Sequence, residues 1–203
     1  MGNRDWQQFA LLLIDVQEDF WNQELEQAFP EFRDNISRLL SFCRQEGVEV
    51  VHLREVFNPD GSDWLPRYRL RGRAPCIRGT KGAAVLSVAQ EQPGEMVIEK
   101  QTQDGFHNPK LLDHLRTRGK RFLLTAGLVT SVCVLFTTAS ASQSGFLAMI
   151  IFDCCADYPE AHAIALKRYR GFLFDSVEQD ELPKRWQEWL VQVEQLEALR
   201  GDG

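Results

Sequence analysis

Six short apolar runs alternate with longer stretches along the chain. Runs of this length without polar alternation are typical of strands in a parallel sheet that is covered on both faces. The runs lie at residues 9–14, 48–53, 96–98, 122–126, 146–152 and 172–174.

Four intervening segments are predicted to be helices, and each leads to a glycine, the usual helix exit. They are residues 32–43, 111–115, 131–144 and 159–169, which lead to Gly47, Gly119, Gly145 and Gly171. This alternation predicts the α/β class. We expect a three-layer α/β/α, doubly wound arrangement, with a six-stranded, mostly parallel sheet and right-handed crossovers.

Residues 54–82 interrupt the alternation of predicted strands and helices. They contain seven prolines and glycines, and five arginines follow Arg54. A stretch this long without a period is usually a functional loop, and a surface excursion is the plain alternative. Arg54 and Trp64 are therefore candidates to cover a pocket. An arginine in that place suits a substrate carboxylate.

The segment 183–200 carries Trp186 and Trp189 on one helical stripe. It is interpreted as a helix that docks on its own domain, or alternatively as a subunit contact, since tryptophans suit an interface core. We expect one domain over residues 1–203, with its core at about 8–175, and a homo-oligomer.

Composition limits the partners and the cellular location that are expected for this chain. Lys plus Arg is 23 and Asp plus Glu is 29, a net charge of −6, so neither nucleic acid nor an anionic membrane is an expected partner. The chain has 5 cysteines, an odd number, and it contains neither a Cys-x-x-Cys pair nor cysteines and histidines at the spacing of a zinc site. This pattern predicts reduced thiols. The apolar run near the N-terminus is too short for a signal peptide or a membrane span. A cytoplasmic protein with a small-molecule substrate is expected.

Three reactive side chains follow predicted strands. Asp15 ends the first run, Lys100 closes the third after Glu99, and Cys133 lies where the helix after the fourth strand begins. Because sites in open α/β sheets form at the carboxyl ends of the strands, these side chains are expected to meet.

Their chemistry is mutually supportive. A helix N-terminus and a nearby cation both lower the pKa of a thiol, so Cys133 is a candidate nucleophile with Lys100 as the cation. Asp15 suits a proton shuttle, and the amides at the helix start suit an oxyanion. Taken singly, each residue has a plain alternative: a buried cysteine as a small hydrophobe, a turn-forming aspartate, a solvated lysine.

Four segments together resemble the isochorismatase-like cysteine hydrolases, over roughly residues 8–175. The segments are LLLIDVQEDF from Leu11, GTKGAAV from Gly79, PGEMVIEKQTQDGF from Pro93 and AGLVTSVCVLFTTASASQSGF from Ala126. The resemblance implies an Asp15–Lys100–Cys133 triad. It also implies a cis peptide at Leu128–Val129, with the amides of Val129 and Cys133 as the oxyanion hole.

The chain departs from the nicotinamidases of this superfamily at their metal site. The resemblance places Glu55 where an aspartate ligand is expected and Phe57 where a histidine is expected, so no metal and no other cofactor are expected. The substrate pocket is predicted to include residues near the triad and in the loop, namely Gln17, Phe20, Arg54, Trp64, Asp104 and Phe106. Asp104 either faces a cationic substrate group or turns the chain.

The favoured hypothesis is a metal-free cysteine amidohydrolase that cleaves a small amide, N-carbamoyl or ureido compound through a thioester. One alternative is a thiol hydrolase of another acyl or cyclic-amide substrate. The other is a non-catalytic family member that serves as a binding or assembly module through its C-terminal helix.

Overall fold

Six strands form one parallel sheet in the computed structural model, which describes residues 6–201. The ends of the predicted domain, residues 1–5 and 202–203, lie outside the described residues. The strands are β1 (Phe9–Ile14), β2 (Glu49–Glu55), β3 (Met96–Lys100), β4 (Phe122–Leu128), β5 (Leu147–Ala156) and β6 (Asp175–Val177). Their spatial order is β3-β2-β1-β4-β5-β6, which confirms the doubly wound sheet. Strand addition reverses direction between β1 and β4, the point where such sheets form their sites.

Helices flank this sheet over the described residues. They are α1 (Gln23–Ala28), α2 (Phe32–Glu46), α3 (Pro66–Arg71), α4 (Pro109–Thr117), α5 (Leu135–Gln143), α6 (Pro159–Tyr169) and α7 (Leu182–Gly201). The predicted apolar stripe of α2 is buried, and the helix ends at Gly47 in the left-handed region, as its glycine indicated. Strand β1 is buried along its whole length, so the sheet centre is the core.

The sixth predicted strand is wrong in position. Residues 172–174 form a tight turn, in which the amide of Gly171 donates to the carbonyl of Phe174 and Phe172 is 81% exposed. The strand itself is β6, which pairs Asp175 with Met149 of β5. A short apolar run is ambiguous here because the strand that follows it carries two polar residues among its three.

The long loop contains a helix that periodicity did not predict. Helix α3 begins at Pro66 and has no buried residue, so no apolar spacing marks it. Its proline suits the first helical turn. Among the described residues, no helix is long and apolar enough to cross a membrane.

Helix α7 docks on its own chain. Trp189 is fully buried and stacks on Phe122 of β4, with ring centroids 5.5 Å apart, while Trp186 lies 6.2 Å from Trp6. The two tryptophans are thus committed to packing within the chain and give no support to a subunit contact. The homo-oligomer stays a prediction.

Candidate active site

Four neighbouring strands each bring one ionisable side chain to the same side of the sheet, where their carboxyl ends lie. Lys100 ends β3, Glu55 ends β2, Asp15 follows β1, and Cys133 lies in the first turn after β4. The oxygens of Asp15 and Glu55 and the sulfur of Cys133 lie within 4.8 Å of one another. All four side chains are buried, so the predicted meeting of the triad residues is present, with Glu55 added to it.

Asp15 and Lys100 form a buried ion pair. The Lys100 ammonium donates to Asp15 Oδ2 at 2.6 Å and to the carbonyl of Thr102 at 2.9 Å. Gly127 allows this packing: its φ is +124° and a Cβ there would lie 2.0 Å from the carbonyl oxygen of Ile14. Only a glycine therefore lets β1 and β4 approach closely enough beneath Asp15.

Cys133 lies in a π-helical turn, Thr130–Val134, that leads into α5. The sequence predicted one helix over 131–144, and the structure divides that segment into this turn and α5. The amide of Val134 donates to the carbonyl of Val129, the wide spacing that defines the turn. The peptide bond Leu128–Val129 is cis, as the resemblance implied.

Side chains from β5 and α6 hold this turn in place. Asp157 is buried and accepts from both the amide of Ser131, at 2.8 Å, and the hydroxyl of Ser131, at 2.5 Å. His162 Nδ1 lies 2.8 Å from the hydroxyl of Thr130. The backbone on the N-terminal side of Cys133 is therefore fixed from a neighbouring strand and helix. Sequence reasoning missed Asp157, although it follows an apolar strand as Asp15 does.

Glu55 is the site residue that sequence reasoning did not assign. Its Oε2 lies 3.6 Å from the Lys100 ammonium and 3.9 Å from the Cys133 sulfur. Its position at the end of β2 is the signal that would have found it, because the same argument placed Asp15 and Lys100.

Burial governs the protonation of the cluster. Burial raises the pKa of the Cys133 thiol well above its usual value, Asp15 and Glu55 raise it further, and Lys100 alone lowers it. The expected low thiol pKa is therefore wrong for the free protein, since two carboxylates face the sulfur against one ammonium. Burial also raises the pKa of Asp15, against the attraction of Lys100, which makes this carboxylate a stronger proton acceptor.

Lys100 keeps its charge in this setting. Burial opposes the charged form, but the charges of Asp15, Cys133 and Glu55 raise the pKa of Lys100. Lys100 is thus an ammonium that lies beside a thiol whose raised pKa favours its neutral form. The other four cysteines are also buried and unpaired, as the composition predicted.

Tyr68 of α3 brings the long loop to the site. Its hydroxyl accepts from Gln103 Nε2 at 3.3 Å, and its ring meets Phe57 edge to face at 5.4 Å. Burial and the charge of Glu55 raise the pKa of Tyr68 to about 12. The loop therefore approaches the cluster through a tyrosine. Periodicity could not single it out because α3 has no apolar stripe.

Most of the predicted pocket residues serve the fold. The Gln17 amide is buried and bonds to the backbone of Glu55 and Ala83. Arg54 points to the face of β2 opposite Glu55 and pairs with Glu91. Both polar groups are thus already paired within the fold, and a place for Gln17 and Arg54 in the substrate pocket stays a prediction.

Trp64 and Phe20 have packing roles. The Trp64 indole donates to the carbonyl of Asn58 at 2.8 Å and its ring lies over Gly61, so it braces its own loop. Phe20 is partly buried against the main core.

Asp104 and Phe106 are likewise structural. Asp104 caps a short turn through the amide of Phe106 and accepts from the hydroxyl of Ser140 at 2.5 Å, so it turns the chain. The Phe106 ring lies 6.1 Å from Phe146, which precedes β5 at the edge of the sheet opposite Cys133. The packing of Phe106 against Phe146 therefore gives no support to its predicted place in the substrate pocket.

By the type of its donor atoms, the cluster of Asp15, Glu55 and Cys133 could also hold a metal ion. The Lys100 ammonium, however, already contacts Asp15 Oδ2 at 2.6 Å and Glu55 Oε2 at 3.6 Å. This side chain fills the cation position of the cluster. The residues present thus fit an ion pair better than a metal centre.

Comparison with known proteins shows which families and enzymes this chain is similar to. The model of the isochorismatase domain matches residues 9–178. An uncharacterized isochorismatase family protein, YddQ of Bacillus subtilis, is 26% identical over 149 residues, which are 72% of this chain and 77% of that protein. A ureidoacrylate amidohydrolase, RutB of Methylorubrum extorquens, is 29% identical over 136 residues, 59% of this chain and 55% of that enzyme. The chain thus spans about half the length of this amidohydrolase.

Solved structures share the fold. The crystal structure of an isochorismatase family protein from Desulfovibrio vulgaris superposes with a TM-score of 0.79 at 26% identity. The match covers 87% of this chain and 97% of that one.

Proposed function

Because the chain belongs to the isochorismatase family, we propose that it is a cysteine-dependent hydrolase of the C–N bond of a small amide, N-carbamoyl or ureido compound. One observation carries the proposal: the Cys133 sulfur lies within 4.8 Å of the Asp15 carboxylate, which is held by the Lys100 ammonium at 2.6 Å. The similarity to an enzyme named a ureidoacrylate amidohydrolase supports the bond type.

The first half-reaction forms a thioester. Asp15 takes the thiol proton as the Cys133 sulfur attacks the carbonyl carbon, so that a carbon–sulfur bond forms and the carbonyl oxygen becomes negative. Lys100 neutralises the carboxylate before the transfer and stabilises the developing thiolate. The C–N bond then breaks, and the proton held by Asp15 passes to the leaving nitrogen.

The second half-reaction restores the enzyme. Asp15 takes a proton from water, whose oxygen attacks the thioester carbon. The carbon–sulfur bond breaks and Cys133 recovers its proton. The amides of Val129 and Cys133 are proposed to hold the oxyanion in both steps, since Val129 directly precedes the turn that presents the sulfur and Cys133 lies within that turn.

The test is ammonia release from a panel of small amides, ureas and N-carbamoyl acids. Cys133→Ser is expected to reduce kcat/KM at least about 10³-fold, as removal of a nucleophile does, with the fold intact by circular dichroism. Cys43→Ser, which alters a buried thiol on α2, is the matched control and should retain activity. Activity retained by Cys133→Ser would remove the nucleophile assignment. A wild-type protein without any turnover would favour the non-catalytic module.

A further inference from the structure

Glu55 is a buried carboxyl group for which the proposed mechanism has no use. The base, the cation and the nucleophile are already supplied by Asp15, Lys100 and Cys133. Glu55 is 1% exposed, and its Oε1 atom has no hydrogen-bond partner within 3.5 Å among the described residues, although the Tyr68 hydroxyl lies close enough to lower the pKa of this carboxyl group. A buried acceptor that is left unpaired destabilises the fold, so its presence here calls for a ligand that pairs with it.

The carboxyl group is held in a fixed place. Gln17 Nε2 donates to the carbonyl of Glu55 at 2.9 Å, and the amide of Glu55 donates to Gln17 Oε1 at 2.9 Å. In the sheet, Glu55 is the register partner of Lys100. Because the backbone is clamped on both sides, the acceptor is positioned before any ligand arrives.

We infer that Glu55 is a specificity-determining residue whose unpaired Oε1 accepts a hydrogen bond from an N–H group next to the scissile carbonyl. This inference rests on the proposed function and deepens it. The other oxygen of this carboxyl group, Oε2, lies 3.9 Å from the Cys133 sulfur, so the group as a whole adjoins the nucleophile. When that sulfur bonds to the carbonyl carbon, the substituents on that carbon are the substrate atoms nearest to Glu55.

The substrate class follows from this acceptor. A ureido or N-carbamoyl group has nitrogen on both sides of its carbonyl, so one nitrogen can leave while the other donates to Glu55. A simple carboxamide presents CH₂ at that position and leaves the buried oxygen unpaired. Sites built to hydrogen-bond a substrate group discriminate strongly against analogues that lack it.

Two matched compounds test this inference. N-carbamoylglycine and succinamate differ only in NH against CH₂ beside the carbonyl, and hydrolysis of either yields ammonia. The measured quantity is the ratio of their kcat/KM values. Glu55→Leu, which removes the acceptor, is expected to lower the ratio of ureido to amide by about 10–100-fold. Glu55→Gln keeps a carbonyl oxygen and should preserve the ratio within a few-fold.

Glu99→Leu is the matched control. It removes the carboxylate next to Lys100 that pairs with Arg78 on the surface, and the ratio should not change. Should Glu55→Leu not fold, Glu55→Asp withdraws the acceptor by one methylene while keeping the charge, and the ratio should fall as well. A ratio unchanged in the folded variant would overturn the inference.

Failure of the inference can be distinguished from failure of the proposed function. If the wild-type protein releases ammonia from neither compound, the reaction assignment fails for this pair. Ligand recognition is then decided by protection of Cys133 from iodoacetamide. N-methylurea should protect better than propionamide in the wild type and lose that advantage in Glu55→Leu. Equal protection of the wild type would overturn the role of Glu55.

Discussion

Glu55 and Lys100 are direct register partners on β2 and β3, and Glu55 Oε2 lies 3.6 Å from the Lys100 ammonium. That ammonium lies nearer to Asp15, at 2.6 Å, so one cation serves two carboxylates unequally. Burial, and then repulsion from Asp15, raise the pKa of Glu55 to about 7, although Lys100 acts in the opposite direction. The cluster thus holds a carboxyl group that titrates near neutrality beside the candidate nucleophile.

Stability should depend on pH through Glu55. A carboxyl group whose pKa rises from 4.5 to about 7 on folding binds its proton more tightly in the folded state. Its contribution is therefore fully present below pH of about 4.5 and is lost as the pH rises through about 7. Glu55→Gln cannot ionise, so its free energy of unfolding relative to the wild type should be higher at pH 8 than at pH 5, by about 1–3 kcal/mol.

Urea unfolding at the two pH values measures this difference. Glu99→Gln is the control, because its pairing with Arg78 lowers the pKa of Glu99, and this substitution should give no gain at pH 8. A Glu55→Gln variant with the same relative stability at both pH values would contradict the proposed titration.

The reactivity of Cys133 should report the charges around it. Burial and the two carboxylates raise the pKa of the thiol, whereas Lys100 lowers it. At pH 8, over a time course sampled well before labelling is complete, Glu55→Gln is expected to speed alkylation of Cys133 by iodoacetamide several-fold, and Lys100→Met to slow it, since only the thiolate reacts. Mass spectrometry of the Cys133 peptide gives both rates.

The Cys43 peptide provides the internal reference in each sample, because Cys43 lies on α2 and burial dominates its raised pKa. An unchanged Cys133 rate in Lys100→Met would show that the ammonium does not stabilise the thiolate. A slower rate in Glu55→Gln would reverse the sign assigned to Glu55.

The sheet and the triad could be predicted because both depend on local pattern. Apolar runs marked β1 to β5, and the rule that parallel strands end at one edge brought Asp15, Lys100 and Cys133 together across 85 and 33 residues of sequence. The same rule applied to β2 would have selected Glu55. At the sequence level, Glu55 was compared only with an aspartate ligand of the nicotinamidase metal site, and its position at the end of β2 was therefore not considered.

The pocket could not be predicted in the same way because it depends on side-chain direction. Arg54 and Glu55 are adjacent in sequence, yet they lie on opposite faces of β2, and only one faces the sulfur. Tyr68 reaches the site from a short helix without any apolar period. The direction of Tyr68 follows from the three-dimensional course of the loop, which the apolar pattern does not reveal.

Asp157 should set the rate of the reaction by positioning the turn that carries Cys133. Its carboxylate accepts two hydrogen bonds from Ser131, at 2.8 and 2.5 Å, two residues before the nucleophile. In Asp157→Ala both donors lose their partner, so the turn can relax and the sulfur moves relative to Asp15. We expect kcat on the best panel substrate to fall about 10–100-fold with KM changed only a few-fold, because misplacement affects the transition state most.

Asp153→Ala is the matched control. It removes the two hydrogen bonds that the amide and the side chain of Gln179 donate to Asp153. This substitution should lower the melting temperature without the loss of kcat expected for Asp157→Ala. An Asp157→Ala protein with wild-type kcat would mean that the turn keeps its geometry without this carboxylate.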